Sequence, residues 1–142
     1  MQVETILQTK GSEVVTLPLD GTLADAVEAL NTHNIGAVVV LGSTGGIAGI
    51  LSERDIVRQL GRRRAEALSL PIAECMSKSV ITCTPETEIA DVMERMTNRR
   101  VRHMPVIEDG AMVGLISIGD VVKRKIEEAE QEASALRDYI AS

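Results

Sequence analysis

The feature that most constrains the fold is a segment that occurs twice. Residues 49–57 read GILSERDIV and residues 114–122 read GLISIGDVV. In both copies an apolar run that contains a glycine leads to a serine, and an aspartate follows three residues later. This is the spacing of a capping box, in which each of the two side chains bonds the other residue's main-chain N–H at a helix start. The segment therefore predicts, twice, a strand that runs directly into a helix.

Such a junction suits an anionic ligand. A helix N-terminus presents free N–H groups and a partial positive charge, and both favour a phosphate. The aspartate adds a carboxylate that can accept hydrogen bonds from the hydroxyls of a sugar. The alternative is that the serine and aspartate only cap the helix, which is the commoner role of this spacing.

The surroundings of the segment repeat as well. The first copy is predicted as strand 14–17, a helix capped by Thr22, strands 35–41 and 47–51, and a helix opened by Ser52. The second copy is predicted as strand 80–82, a helix after Pro85, strands 101–107 and 111–116, and a helix opened by Ser117. Each copy thus has the order β-α-β-β-α, and the second differs by a hairpin loop one residue shorter, a change that loops tolerate.

Asp25 and Asp91 take matching places in the two copies, and both are predicted to cap helices rather than to form a catalytic pair.

The repeats suggest a division of the chain. The predicted boundaries are residues 5–64 for the first repeat, 65–71 for a linker, 72–126 for the second repeat and 127–142 for a C-terminal helical extension. The first residues, 1–13, are predicted to be a short lead-in, and 72–76 a short helical turn. Because a repeat of about sixty residues buries little surface alone, the two are expected to pack together.

The last helix is predicted to be longer than its counterpart and to carry a narrow apolar seam. The seam positions are separated by four and three residues in turn: Val122, Ile126, Ala129, Ala133, Leu136 and Ile140. This spacing is typical of a helix that packs on another helix. The alternative is a frayed acidic tail.

Composition disfavours several functions. The 142 residues carry a net charge of −6 and only 1% aromatic side chains, so binding of nucleic acid through bulk charge or stacked bases is not expected. The runs Arg62–Arg64 and Arg99–Arg100 keep nucleic-acid binding as a weaker hypothesis. Cys75 and Cys83 lack metal-ligand spacing, so no metal site is predicted and both are expected to be reduced.

The chain also lacks the features of an enzyme and of a membrane protein. No nucleophile–base pair and no Walker-type glycine loop is visible, so catalysis is not expected. No basic leader and no long apolar segment is visible either, which predicts a cytoplasmic protein without a membrane partner.

On the basis of these motifs, the chain resembles the CBS-domain family, in the form of a stand-alone tandem pair, or Bateman module. The resemblance is carried by the two G-apolar-apolar-S-x-x-D segments and by residues 102–106, which read RHMPV and match the family's R-H-apolar-P-apolar strand. It implies an α+β fold in which two β-α-β-β-α repeats pack about a pseudo-twofold axis, with ligand clefts between them.

The resemblance also implies roles for individual residues. Asp55 and Asp120 would bind ribose hydroxyls, and Ser52 and Ser117 would lie beside the phosphate. Further phosphate contacts would come from Arg102 and His103, with Arg54 as a candidate that could equally be a surface arginine. The base and cleft wall would be formed by Thr16, Thr82, Ala37, Val38, Met104 and Pro105.

The function implied is a non-catalytic regulatory module that binds an adenine nucleotide and signals to an unidentified partner. AMP is the first choice, and ADP, ATP, NAD(H) and S-adenosylmethionine stay open; no permanent cofactor is implied. A homodimer through the module's helices is also expected. The two clefts should differ, because Gly36 and Ala37 stand in place of Arg102 and His103. The alternative is a structural interaction module that binds no ligand.

Overall fold

The computed structural model describes residues 1–142, and its elements are short apart from the last helix. The helices are α1 (Val3–Lys10), α2 (Leu23–His33), α3 (Glu53–Arg63), α4 (Ile72–Cys75), α5 (Ile89–Arg99) and α6 (Ile118–Ala141), with a 3-10 helix at Arg64–Ser69. The strands are β1 (Thr16–Pro18), β2 (Ala37–Leu41), β3 (Ile47–Ser52), β4 (His103–Glu108) and β5 (Ala111–Ser117). None of the helices combines the length and the apolar composition that crossing a bilayer requires.

The chain forms two compact units. The continuous unit comprises residues 14–80, and the composite unit comprises residues 1–13 together with 81–142. The repeats predicted from the sequence divide the chain differently from these compact units. The boundaries of the repeats stay a prediction.

The continuous unit is built on a three-stranded sheet in the order β1-β2-β3. β1 is parallel to β2, and β2 pairs antiparallel with β3, so that Ala37 lies opposite Ser52. As predicted, β2 is buried along almost its whole length. Its core contains only aliphatic side chains: Leu23, Ala26, Leu30, Val38, Val40, Leu51, Ile56, Ala67 and Ile72.

The composite unit is built on the hairpin of β4 and β5, in which His103 lies opposite Ser117. Helices α1, α5 and α6 cover this hairpin. The core is again free of aromatic side chains: Val3, Ile6, Cys83, Ile89, Val92, Met96, Met104, Val106, Ile116 and Val121.

The prediction of a strand at 80–82 is wrong, and Pro105 supplies the reason. In the continuous unit, the Val39 N–H donates to the Val15 oxygen at 3.1 Å and extends the parallel pairing. Pro105 takes the place of Val39 in the second copy and has no N–H to donate. Only Cys83 therefore pairs, through the Cys83 N–H to the Pro105 oxygen at 3.1 Å and the Ile107 N–H to the Cys83 oxygen at 2.8 Å.

The predicted lead-in, residues 1–13, contains α1, whose Val3 and Ile6 side chains are buried in the composite core. One further prediction is corrected. Asp91 does not form a capping box, whereas Asp25 does with Thr22. The N-cap of α5 is Glu88, a poor capping residue, and its carboxylate pairs instead with the N-terminal amino group at 3.2 Å.

The segments that lie before the first predicted strand of each β-α-β-β-α copy are exchanged between the units. Residues 1–10 lie before strand 14–17 of the first copy but belong to the composite unit, and residues 70–76 lie before segment 80–82 of the second copy but belong to the continuous unit. Their contacts correspond: the Val3 N–H donates to the Thr87 oxygen at 2.9 Å, and the Ile72 N–H donates to the Gly21 oxygen at 2.9 Å.

Glycines at matching positions make room for these exchanged segments. A Cβ built on Gly49 would lie 2.6 Å from the Ser77 main-chain oxygen and 2.6 Å from Met76 Sδ. A Cβ built on Gly114 would lie 2.5 Å from Leu7 Cδ2, at the tip of a side chain. Both glycines therefore permit a close approach, but the nearest groups differ: Gly49 lies against the main chain of Ser77, whereas Gly114 lies against the side chain of Leu7.

We expect Gly49→Ala to cost more stability than Gly114→Ala. Backbone at Ser77 is held by reciprocal hydrogen bonds with Ile50 and cannot move aside, so Gly49→Ala should lower the free energy of unfolding by about 1–3 kcal/mol. Leu7 can change its rotamer, at a cost of about 1 kcal/mol. Urea denaturation measures both, with Gly46→Ala as the control because a Cβ there meets nothing within 4 Å. Equal losses at the two positions would contradict this account.

Candidate functional site

The two repeated segments form strand-to-helix junctions with the same hydrogen bonds. At the first junction (Ser52–Asp55), Asp55 Oδ2 accepts the Ser52 N–H at 2.9 Å, and the Asp55 N–H donates to Ser52 Oγ at 3.4 Å. At the second junction (Ser117–Asp120), the corresponding distances are 2.8 Å and 3.2 Å. Each serine is the last residue of its strand and the N-cap of its helix. Both predicted capping boxes are therefore confirmed.

A third capping box limits what this geometry proves. Thr22 and Asp25 make the same reciprocal bonds at the start of α2, at 2.9 Å and 3.4 Å, where a turn separates β1 from the helix. The box alone is therefore a local helix-start device. What sets the two junctions apart is the strand beside each of them.

Each junction is placed next to the beginning of the neighbouring strand. The Ile118 N–H donates to the Arg102 oxygen at 2.8 Å, and His103 pairs with Ser117. The structure therefore brings the predicted phosphate residues Arg102, His103 and Ser117 together. Arg102 is exposed and His103 is half-buried.

The first junction has the same backbone with different charges. The Glu53 N–H donates to the Gly36 oxygen at 3.0 Å, and a Cβ on Gly36 would lie 3.0 Å from Glu53 Oε1. A carboxylate thus covers the position that Arg102 occupies in the other copy. Arg54 is exposed at this junction, and Arg58 contacts Asp55 Oδ1 at 3.4 Å. The two junctions are therefore electrostatically unequal.

The second junction contains a basic residue that sequence analysis missed. Lys10, near the end of α1, donates from Nζ to Asp120 Oδ2 at 2.7 Å and to the Leu115 oxygen at 2.8 Å. The helix that carries Lys10 could have been recognised from the spacing of Val3, Ile6 and Leu7, but its partner is more than one hundred residues away.

The contacts of Asp120 change its acidity. Burial opposes ionisation, but the hydrogen bonds from Lys10 and from Ser117, together with the Lys10 charge, outweigh it and lower the pKa of Asp120. The carboxylate is thereby kept ionised at neutral pH and held in a fixed orientation.

The two predicted threonines lie beside the junction strands. Thr16 begins β1 and pairs with Val39, next to Val38 and close to Ala37. Thr82 is exposed and precedes Cys83, which bonds the Pro105 main chain; the Thr82 oxygen accepts a bond from Arg95 at 3.2 Å.

The four apolar residues predicted to contact the base are buried. Val38 and Met104 have no exposed surface and belong to the cores of the two units, and Ala37 and Pro105 are buried as well. The sequence correctly placed these four residues on strands. Their assignment to the base and cleft wall stays a prediction.

The cysteines and the acidic residues form no metal centre. No group of three or more His, Cys, Asp or Glu side chains is arranged to hold a metal ion. Burial raises the pKa of the Cys83 thiol to about 11 against the opposing effect of Arg95, and burial also raises the pKa of Cys75. Both thiols are therefore protonated and unreactive at neutral pH.

Comparison with known proteins identifies the family. The sequence profile of the CBS domain matches residues 4–62 and 72–127. The chain belongs to the CBS-domain family. It is 36% identical to the mitochondrial CBS domain-containing protein CBSX3 of Arabidopsis thaliana, over 97% of this chain and 71% of that protein.

Solved CBS-domain structures have the same fold. A CBS-domain protein from Agrobacterium tumefaciens superimposes with a TM-score of 0.82 at 40% identity, over 87% of this chain and 92% of that chain. A CBS-domain protein from Pyrobaculum aerophilum, determined in complex with AMP, gives a TM-score of 0.74 at 25% identity, over 84% and 89%. The predicted α+β fold of a tandem CBS pair is thus confirmed.

We expect Lys10→Met to raise the pKa of Asp120, because the substitution removes the hydrogen bond and the charge that lower it. In the wild type, a folded-state pKa below the unfolded value means that ionised Asp120 stabilises the fold at neutral pH. That contribution is lost as the pH falls below about 4, and the mutant should show less of this pH dependence.

Carboxyl-carbon NMR titration measures the pKa of Asp120 directly. Urea denaturation between about pH 7 and about pH 3, a range that includes the ordinary pKa of Asp, measures how the free energy of unfolding depends on pH. The control is Lys78→Met, since Lys78 is exposed and far in sequence from both junctions. An unchanged titration of Asp120 in Lys10→Met would contradict the assignment.

Proposed function

We propose that this protein is a non-catalytic regulatory module that binds an adenine nucleotide, AMP in the first instance, at its strand-to-helix junctions. Asp55 and Asp120 take the ribose hydroxyls, and Ser52 and Ser117 lie beside the phosphate. The observation that carries the proposal is the gathering of Lys10, Arg102 and His103 around the second junction of a net acidic protein.

The chemistry of the second junction supports a sugar phosphate. A carboxylate has about four lone-pair sites, so Asp120 can accept ribose hydroxyls besides the Ser117 N–H and Lys10. The start of α6 adds N–H groups and a partial positive charge for the phosphate. Arg102 adds a guanidinium, whose planar donors match phosphate oxygens.

The first junction is proposed as the weaker site. Its carboxylates Glu53 and Asp55 repel a phosphate, and its basic residues are Arg54, which is exposed, and Arg58, which already contacts Asp55. Thr16, which pairs with Val39 of β2, and the exposed Thr82 are proposed as further polar contacts. The AMP complex of the Pyrobaculum aerophilum relative supports the choice of ligand class.

The proposed role is to convert nucleotide binding into a signal to a partner. Binding at a junction joins an exposed strand start to the first turn of a helix, and thus favours one arrangement of the two. A homodimer through the repeat helices is part of the same proposal, as is a cytoplasmic location.

We expect Asp120→Ala to weaken AMP binding by about tenfold to a hundredfold, the effect of losing hydrogen bonds to a charged acceptor. Asp55→Ala should cost clearly less, because the first junction is the weaker site. Isothermal titration calorimetry measures both. Asp25→Ala is the matched control, since it removes an equivalent capping box without a proposed ligand contact. Equal losses for Asp55 and Asp120 would refute the inequality of the junctions.

We expect Arg102→Met to weaken AMP by about tenfold and to leave adenosine unchanged, because only AMP has a phosphate for the guanidinium to pair with. Competition calorimetry with both ligands measures the difference. The control is Arg99→Met, at an exposed position in the last turn of α5. A parallel loss for adenosine would show that Arg102 supports the fold of the junction rather than the phosphate.

The alternative, a structural module without a ligand, is distinguished by thermal shift. A nucleotide at a hundredfold excess over its dissociation constant stabilises a folded protein by about 2.7 kcal/mol. If AMP, ADP, ATP, NAD(H) and S-adenosylmethionine all leave the unfolding temperature unchanged, the structural alternative holds.

A further inference from the structure

The apolar seam of α6 has no partner within the chain. Val122, Ile126, Leu136 and Ile140 are 41%, 53%, 59% and 73% exposed. Ala129 and Ala133, which complete the seam, are exposed as well, as is every residue after 128. The predicted long helix is confirmed, but the predicted packing of its seam is not made inside the protein.

Exposure of the apolar seam to water is unfavourable for the last turns of α6. The last turns of α6 make no core contacts in the composite unit, whose buried residues on this helix end at Val121. A helical segment of this length is marginal in water without packing. A second helix placed along the seam would supply the missing burial.

The spacing of the seam specifies a coiled coil. Ile126, Ala133 and Ile140 fall at heptad a positions, and Val122, Ala129 and Leu136 fall at d positions. β-branched side chains at a with leucine at d favour two parallel strands. The alanines allow close approach of the backbones but bury little area, so association through the seam is reversible.

The flanking charges identify the occupant as a second copy of this chain. In a parallel, in-register pair, each g position faces the following e position of the other helix. Lys125 then faces Glu130 of the second copy, and Glu132 faces Arg137 of the second copy. Both contacts pair opposite charges, and each occurs twice by symmetry. Within its own helix Lys125 makes one long ion pair, with Glu128 at 3.9 Å. A pair of this kind at a surface contributes little to stability, so it does not prevent the contact with the second copy.

Antiparallel arrangements fit less well. Full antiparallel overlap places Glu132 against its own equivalent and Lys123 against Arg137, so like charges meet. A shifted antiparallel register pairs Lys125 with Glu132, but it leaves Ile140 without a partner and sets Leu136 against Gly119. We propose that residues 122–140 form a parallel, in-register coiled coil with a second copy of this protein.

The first test is the oligomeric state of the full chain. Sedimentation velocity over a concentration series should show a reversible monomer–dimer equilibrium for the wild type. Leu136→Asp should raise the dimer dissociation constant by at least about tenfold, because it places a charge in the seam. Because Leu136 is exposed in the monomer, the cores of the two compact units should stay folded, which their cooperative unfolding in urea checks. Asp138→Lys, on the outer face of the same helix turn, is the control.

A wild type that stays monomeric at every concentration would overturn the proposal. So would a dimer that Leu136→Asp leaves intact, because its interface would then lie elsewhere.

A charge swap tests the orientation. Lys125→Glu alone places two glutamates together and should weaken the dimer. Adding Glu130→Lys restores the pair only in the parallel register, because positions 125 and 130 are too far apart on one helix to interact. Adding Glu132→Lys instead would restore only the shifted antiparallel register. Rescue by Glu130→Lys confirms the parallel coiled coil, and rescue by Glu132→Lys overturns it.

Discussion

Each compact unit is completed by a segment that lies just before the first predicted strand of the other β-α-β-β-α copy. Val3 and Ile72 are fully buried at equivalent places, and each donates its N–H to the turn before the next helix of its unit. The reverse bonds, from the Ile89 N–H to Met1 and from the Leu23 N–H to Leu70, close the same contact at 2.9 Å and 3.0 Å. Without these segments the sheets would lose the cover that keeps aliphatic cores dry.

The exchange also brings charge to one junction and not to the other. α1 is held on α6 through Arg124, which donates to the Thr5 oxygen at 3.4 Å and to the Thr9 hydroxyl, and this places Lys10 on Asp120. The segment that precedes the second repeat brings no such cation to Asp55. Two repeats with the same backbone thus acquire different electrostatics from the segments that cover them.

Local pattern was enough to predict much of this fold. The capping boxes, the hairpins and the strand pairing depend on residues close in sequence, and they lie where serine, aspartate and glycine indicated. What could not be predicted depends on distant partners. Pro105 removes a donor that only matters once Ile81 is opposite it, and α1 is stabilised by a core formed more than eighty residues later.

The residues of the candidate site also fall into two groups, those that local spacing predicts and those that depend on distant contacts. Ser52, Asp55, Ser117 and Asp120 were found from spacing, because their mutual bonds span three residues. Lys10 was missed, since its contact is made by the tertiary fold. Val38 and Met104 were placed on the correct strands, yet a run of apolar residues does not reveal which side chains the core takes up completely.

The exchanged segments have a consequence for the order of assembly during translation. Residues 14–80 contain everything that the continuous unit needs, including its covering turn at α4, so this unit can form while later residues are still being synthesised. The composite unit must wait, because α1 is synthesised before residues 14–80 and the rest of its core is synthesised after them. Until residues 81–121 have been made, the apolar face of α1 lacks the core that buries it.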